Sequence, residues 1–323
     1  MKAIVYTHYG SPDVLQFTEV TKPAPKPDEV LIRLCAASVN PLDFHYMRGH
    51  VRVMTGMGKP KQPILGCDIA GRVEAVGSAV RRFQPGDEVF GVGGGGFAEY
   101  VCAKESKLAR KPASVSFEAA ASVPIAGLTA LQGLRDKGHI QPGHKVAVDG
   151  ASGGVGTFAI QIAKALGAEV TAVCSTSKLE TARAIGADHV IDYTEQDFTH
   201  GAQLYDVILG ANAHHTIFDY RRILSPNGIF VGAGGGSSLS GLLPHLLVAP
   251  VLSWLTGKKT CIFIAKIIQQ DLEVMRDLLT NGKVVPVIDR RYPLSDTAAA
   301  MRYLEEGHAR GKIVLTVEPS SGG

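Results

Sequence analysis

The stretch GASGGVGTFAIQIAKALGAEV, Gly150 to Val170, decides the fold. Small residues from Gly150 to Gly156 run straight into an apolar pattern of helical period, and the strand-like KVAVDG before them completes a strand–loop–helix unit. Ala151, Gly153 and Gly156 occupy the positions of GxGxxG, with alanine in place of the first glycine; Ser152, Gly154 and Val155 fill the rest of the loop. In that setting backbone N–H groups and the positive end of the helix can meet a diphosphate. Gly153 lets the backbone approach the phosphates, and Gly156 lets the helix lie close to the strand. The loop motif alone is a weak signal, and a glycine-rich turn that merely joins strand to helix is the competing reading; the context favours a dinucleotide.

Outward from this unit, the chain from Pro124 alternates strand and helix: IAGLTALQGLRDKG, KVAVDG, the loop helix, EVTAVCS, KLETARAIG, HVID, YDVILG, HTIFDYRRIL, GIFVGAG, then KTCIFIAK and DLEVMRDLLTNG. Strands separated by helices imply parallel βαβ units, because a parallel strand is reached only by a crossover. Before Val123 the texture is short β-rich runs broken by Gly and Pro, among them KAIVY, EVLIRLCAAS, DIAGRVEAVGS and FAEYVCAK, which predict a barrel-like β domain. A helix around TAAAMRYLEEG and a strand KIVLTV close the chain and are expected to return to that first domain. The expected division is 1–123 with 284–323, and 124–283 between them.

Composition bounds the function. The 323 residues are 45% hydrophobic and 20% charged with a net charge of +3, an ordinary globular balance with no nucleic-acid footprint. Five scattered cysteines, never in a CxxC pair, suggest neither a disulfide framework nor a zinc knuckle. The longest apolar tract, Leu242 to Leu255, is shorter than the ~20 residues that span a bilayer and is broken by Pro244, His245 and Pro250, so no membrane insertion is expected. The opening residues read as a strand rather than an export signal, which makes the cytoplasm the expected location.

The flavour of the dinucleotide is read one strand later. NAD sites put a carboxylate about 20 residues on, to hold the ribose 2′-hydroxyl. Here the run is Cys174-Ser175-Thr176-Ser177-Lys178, with no acid until Glu180. The hydroxyls of Ser175 and Ser177 and the ammonium of Lys178 suit a 2′-phosphate, so the expected cofactor is NADPH, with Tyr193 closing over the adenine ribose phosphate. A Lys178 that is only a solvated first-turn residue is the alternative.

At this point the chain resembles the medium-chain dehydrogenase/reductase superfamily, in its zinc-free quinone oxidoreductase branch. MKAIVYTHYGSPDVL, SVNPLDF (38–44), LGCDIAGRVEAVG (65–77), FQPGDEVFG (83–91), GGFAEYV (95–101), AASVPIAGLTAL (120–131) and ASGGVG (151–156) fall in that family's order and spacing. The resemblance implies an α/β fold: a GroES-like catalytic domain from both chain ends and a six-stranded, doubly wound Rossmann domain between. It also makes absences informative. Zinc-dependent members carry cysteine where Asn40 stands and GHE where Gly66-Cys67-Asp68 stands, and the four-cysteine lobe is missing, so no metal is expected.

Without a metal, reduction of a simple ketone is hard, because a full negative charge builds on one oxygen. In a quinone or an α,β-unsaturated carbonyl the charge spreads, and ordinary hydrogen-bond donors suffice. The candidate donors lie in SVNPLDFHYMRG: Asn40 through its amide, to substrate or to the cofactor ribose, Asp43 as an orienting group, and Tyr46 through its hydroxyl. Asn40 followed by proline also suits a helix cap, and Tyr46 an aromatic wall. Thr129 matches a position where the superfamily places a hydroxyl near the nicotinamide. Gly234 and Gly235 would admit the nicotinamide end, Asn212 is a candidate ribose or nicotinamide contact, and Lys312 resembles the family's cofactor-facing return loop.

Two segments are expected to shape specificity: the loop 50–64, with Met54 and Met57 as adaptable walls, and the tract 238–259, which can cap the cleft, pack between subunits or touch a membrane peripherally. KTCIFIAK, if it is an edge strand, pairs with its twin in a homodimer. The partner expected is a small conjugated carbonyl or quinone. Competing readings are a zinc-type alcohol dehydrogenase and a non-catalytic NADPH-binding protein.

Overall fold

A computed structural model of the protein describes residues 1–213, 215–233 and 258–317. Gly234, Gly235 and 238–257 of the apolar tract lie outside the described residues. The chain forms two compact units, Met1–Ile125 with Ile267–Asn281 and Pro286–Gly323, and Ala126–Lys266 with Gly282–Val285.

In the first unit, a seven-stranded sheet runs Ile288–Pro293, Lys312–Thr316, Glu29–Val39, Asp68–Val76, Glu88–Val92, Leu108–Arg110, with Tyr100–Lys104 also paired to Glu29–Val39. The long strand Glu29–Val39 is buried along most of its length, because strands flank both edges and Ile4, Phe97, Met301 and Leu315 pack in the same core. Register places Ser38 opposite Asp68 and Val39 opposite Ile313, so Asn40, Asp68 and Lys312 collect at the ends of three adjacent strands. The chain then turns into the helix Pro41–Arg48, with proline at the first position, where its fixed φ and missing N–H cost nothing, and Gly49 at the C-cap with φ 73°.

The helix Gln269–Thr280, expected with the second domain, belongs instead to the first unit. Gln269 Nε2 donates to the Glu105 and Leu108 carbonyls at 3.1 and 2.9 Å, and Arg82 reaches Gln269 and Glu273. Periodicity along the chain shows that this helix has an apolar face, but not which sheet covers it.

The second unit is a six-stranded parallel sheet in the order His189–Asp192, Glu169–Cys174, Lys145–Asp149, Tyr205–Gly210, Leu224–Ala233, Lys259–Phe263. In chain order these are strands three, two, one, four, five and six, the doubly wound arrangement. The order reverses between Lys145–Asp149 and Tyr205–Gly210, and such a switch point opens a crevice at the C-terminal ends of the strands. Lys259–Phe263 is the edge strand next to Leu224–Ala233.

Candidate functional site

The Gly150–Gly156 loop leaves the sheet at the switch point. Gly150 has φ 78°, and a Cβ there would lie 2.8 Å from Asn212 Cβ and backbone N, so the turn brings Asn212 against the loop. A Cβ on Gly156 would sit 2.2 Å from the Gly150 carbonyl oxygen, which makes glycine a packing requirement. At Gly153 the nearest protein atom would be 3.5 Å away. The protein alone has room for a side chain there. Gly153 is also the N-cap of the helix Gly154–Ala165 and offers no capping side chain. The first intrahelical bond runs from Thr157 N–H to the Gly153 carbonyl, leaving the amides of Gly154, Val155 and Gly156 ahead of it. A diphosphate fits this cradle.

Ala151 departs from expectation. Its side chain is fully buried and its N–H donates to the Val173 carbonyl at 3.1 Å, so it ties the loop to the next strand instead of facing a ligand. Ser152 through Val155 are partly exposed, while Thr129 is buried in the helix Pro124–Gln132.

After the strand Glu169–Cys174, half-buried Ser175 caps a 3-10 turn that holds exposed Ser177 and half-buried Lys178, and Tyr193, 54% exposed, follows the neighbouring strand, its N–H bonded to the Cys174 carbonyl. Tertiary structure adds a carboxylate that a search along the single segment does not see. Asp192 pairs in register with Cys174, accepts from the backbone N–H and hydroxyl of Thr194 at 3.0 and 2.7 Å, and is held below the usual carboxylate range by hydrogen bonds from Thr176 and Thr194. Lys178 and Asp192 therefore follow or end neighbouring strands at this edge of the sheet.

In the first unit Asn40, Asp43, Asp68 and Lys312 form one buried polar network. Asn40 Nδ2 donates to Asp68 Oδ2 at 2.9 Å and Asn40 Oδ1 accepts from Lys312 Nζ at 2.6 Å, so both ends of the amide are engaged within the protein. Asn40, expected as a donor to the substrate or the cofactor ribose or as a helix cap, stands at the N-cap of Pro41–Arg48. Lys312, 3% exposed, also lies 3.3 Å from Asp68 Oδ2, so this carboxylate and the Asn40 amide are its partners within the protein. Asp68 further accepts from Ser38 Oγ at 3.0 Å and from the Ile125 N–H at 2.9 Å. Asp43 is wholly buried and accepts the backbone N–H groups of Asn40 and Gly66 at 2.9 and 3.1 Å. Burial outweighs those two bonds and pushes its carboxyl up to about 7.

These residues do not fit a zinc ion. Asp68, the carboxylate at the altered GHE position, is paired with the Lys312 ammonium and accepts from the Asn40 amide, and among the described residues no three His, Cys, Asp or Glu side chains gather as ligands.

Beside the network lies a cavity of about 230 Å³, lined by Tyr6, Asp43, Tyr46, Thr55, Ile64 and Cys67, with the exposed Lys61 and Gln62 at its rim. Of the expected residues, Asp43 and Tyr46 meet here. Burial raises the Tyr46 hydroxyl, with the Cys67 thiol and Asp43 adding to it, and burial first and then Asp43 and Asp68 lift the Cys67 thiol well above its ordinary value, so both present neutral donors. The loop 50–64 supplies Thr55, Lys61, Gln62 and Ile64, but Met57, 74% exposed, is no wall of the cavity. Tyr6 was not singled out from sequence; nothing in KAIVYTHYG marks its side chain as cavity-facing.

The chain matches the alcohol dehydrogenase GroES-like domain over residues 26–113 and the zinc-binding dehydrogenase family over 185–315. It is 35% identical to a chloroplast envelope quinone oxidoreductase homologue of Arabidopsis thaliana, over 99% of this chain and 98% of that one. It is 34% identical to an NADPH-dependent alkenal/one oxidoreductase of the same plant, over 98% and 79%. Among solved structures, a quinone oxidoreductase from Coxiella burnetii superposes with a TM-score of 0.88 at 29% identity, covering 98% of this chain and 99% of that one. With its six-stranded switch-point sheet and its glycine-rich strand–loop–helix turn, the chain belongs to the quinone oxidoreductase branch of the medium-chain dehydrogenase/reductase superfamily.

Proposed function

We propose that the protein is an NADPH-dependent reductase of quinones or other α,β-unsaturated carbonyls, working without a metal. The observation that carries the choice of substrate is the chemistry of the cavity wall. Its buried donors are neutral hydroxyls and a thiol, while Lys312, the cation of the adjacent network, is committed to Asp68 and Asn40. Such donors suffice for an oxygen whose charge is spread by conjugation, and fall short for the localised charge of a simple ketone. The names of the relatives point to the same substrate class.

A nicotinamide dinucleotide supplies the hydride when bound. Ser152, Gly153, Gly154, Val155 and Gly156 hold its diphosphate; Ser175, Ser177, Lys178 and Tyr193 hold the 2′-phosphate; Asn212 and Thr129 are contacts toward the nicotinamide. Tyr46 donates a hydrogen bond to the substrate. Asp43 fixes the backbone of Asn40 and Gly66, and Asn40 serves as the link between Asp68 and Lys312 instead of a donor to the substrate. A homodimer through the edge strand Lys259–Phe263 and a cytoplasmic location are part of the proposal.

The test is consumption of NADPH and of NADH with quinones, alkenals, cyclic enones and simple aldehydes. Turnover confined to conjugated carbonyls is expected, with preference for NADPH moving toward NADH in Lys178→Asp. Coenzyme binding without turnover on any of them would leave a non-catalytic binding protein, and an unmoved preference would remove the 2′-phosphate assignment.

A further inference from the structure

Among the polar groups that line the cavity, two have their oxygens engaged within the protein. Asp43 spends both oxygens on backbone N–H groups, and Thr55 Oγ1 bonds to the Val51 carbonyl and to Tyr9 Oη. Tyr6 and Tyr46 are different: neither hydroxyl makes a hydrogen bond to any described residue. The two differ from each other in depth. Tyr6 is 3% exposed, held by its own N–H to the Pro63 carbonyl at 2.9 Å and by an edge-on contact of its ring with Tyr9, whereas Tyr46 is half-buried on the helix Pro41–Arg48.

A phenol hydroxyl on a cavity wall that no protein group satisfies bonds to whatever fills the cavity, and such a bond is worth about 0.5–1.5 kcal/mol. Its ring is fixed on the wall and its hydroxyl opens to the cavity, so a ligand oxygen or water makes that bond. Burial, and the neighbouring Tyr9, Asp43 and Tyr46, push Tyr6 up to about 12, so it stays a neutral donor throughout the working range of such an enzyme.

Resting on the reductase reading, we propose that Tyr6 is the deep contact for the substrate's carbonyl oxygen, a residue that binds and steadies the oxygen on which negative charge develops. Tyr46 is then the second, shallower hydroxyl. Tyr6 keeps its proton; it donates a hydrogen bond and takes no part in bond breaking. A cavity of about 230 Å³ with its deep donor at one wall suits a single small ring or a short alkenal in preference to a large polycyclic quinone.

Tyr6→Phe tests this, because it deletes one oxygen that has no protein partner and leaves the ring in place. The substrates are 2-cyclohexen-1-one and tetramethyl-1,4-benzoquinone, which has no open ring position for a thiol to attack. The expected result is a fall in kcat/KM of roughly 100-fold, the low end for loss of a donor to a developing oxyanion. Thermal stability and NADPH affinity, which a merely structural tyrosine would alter, are expected to stay at wild-type values. Activity of Tyr6→Phe within twofold of wild type, or a loss confined to Tyr46→Phe, overturns the assignment while leaving the reductase reading intact. A wild-type protein that turns over neither substrate with either coenzyme overturns the reading itself, and the assignment with it.

Discussion

Lys312→Met removes the cation of the buried network while keeping an unbranched chain of similar length. Lys312 Nζ lies 3.3 Å from Asp68 Oδ2 and 2.6 Å from Asn40 Oδ1, and the two charged side chains are 3% and 0% exposed. With an effective dielectric constant near 20, the direct attraction at that distance is about 5 kcal/mol. Experiments that break one partner of a buried pair lose about 3–5 kcal/mol, because the remaining charge stays desolvated. Asp68 keeps three donors, Ser38 Oγ, Asn40 Nδ2 and the Ile125 N–H, which places the expected loss at the low end, about 3 kcal/mol. At roughly 2–4 °C per kcal/mol for a unit of this size, the melting temperature falls by about 6–12 °C. Thermal unfolding followed by circular dichroism reads this directly, and the double variant Asp68→Asn, Lys312→Met, which removes both charges, should recover at least half of the loss. A Lys312→Met protein melting within 2 °C of wild type, or a double variant whose loss is the plain sum of the singles, would refute the view that Lys312 stands there to neutralise Asp68.

The cradle makes a paired prediction: Gly153→Ala, whose Cβ has 3.5 Å of clearance, keeps wild-type stability but weakens NADPH binding at least tenfold, whereas Gly156→Ala, at 2.2 Å from Gly150 O, lowers both stability and binding; calorimetry that finds Gly153→Ala binding normally removes the diphosphate from that position. Asp43 has a folded-state pKa raised from 3.8 to about 7, so its contribution to stability is fully present below 3.8 and is lost as pH rises through about 7. The margin of wild type over Asp43→Asn should therefore shrink by roughly 1.4 kcal/mol per pH unit across that window, and parallel melting profiles for the two proteins would contradict the assignment. Chelators should leave turnover unchanged and elemental analysis should return no stoichiometric zinc; activity lost to a chelator and restored by zinc would revive the alcohol dehydrogenase alternative.

Features written in neighbouring residues are legible along the chain. A run of small residues between a strand and an apolar helix-period pattern specifies a phosphate loop, and strands alternating with helices specify a parallel sheet, because both depend on neighbours a few residues apart. Even the edge position of Lys259–Phe263 followed from its place in the family order. The tertiary structure decided what depends on distant segments. Asn40 looked like a free donor until sheet register set Asp68 and Lys312 against it, 28 and 272 residues away along the chain. The segment after Cys174 looked free of carboxylates until the neighbouring strand brought Asp192 alongside. Tyr6 carried no mark at all, since whether a strand residue meets core or cavity is set by what packs opposite. Polar side chains take their roles from partners that pairing of remote strands supplies, and a linear pattern does not contain those partners.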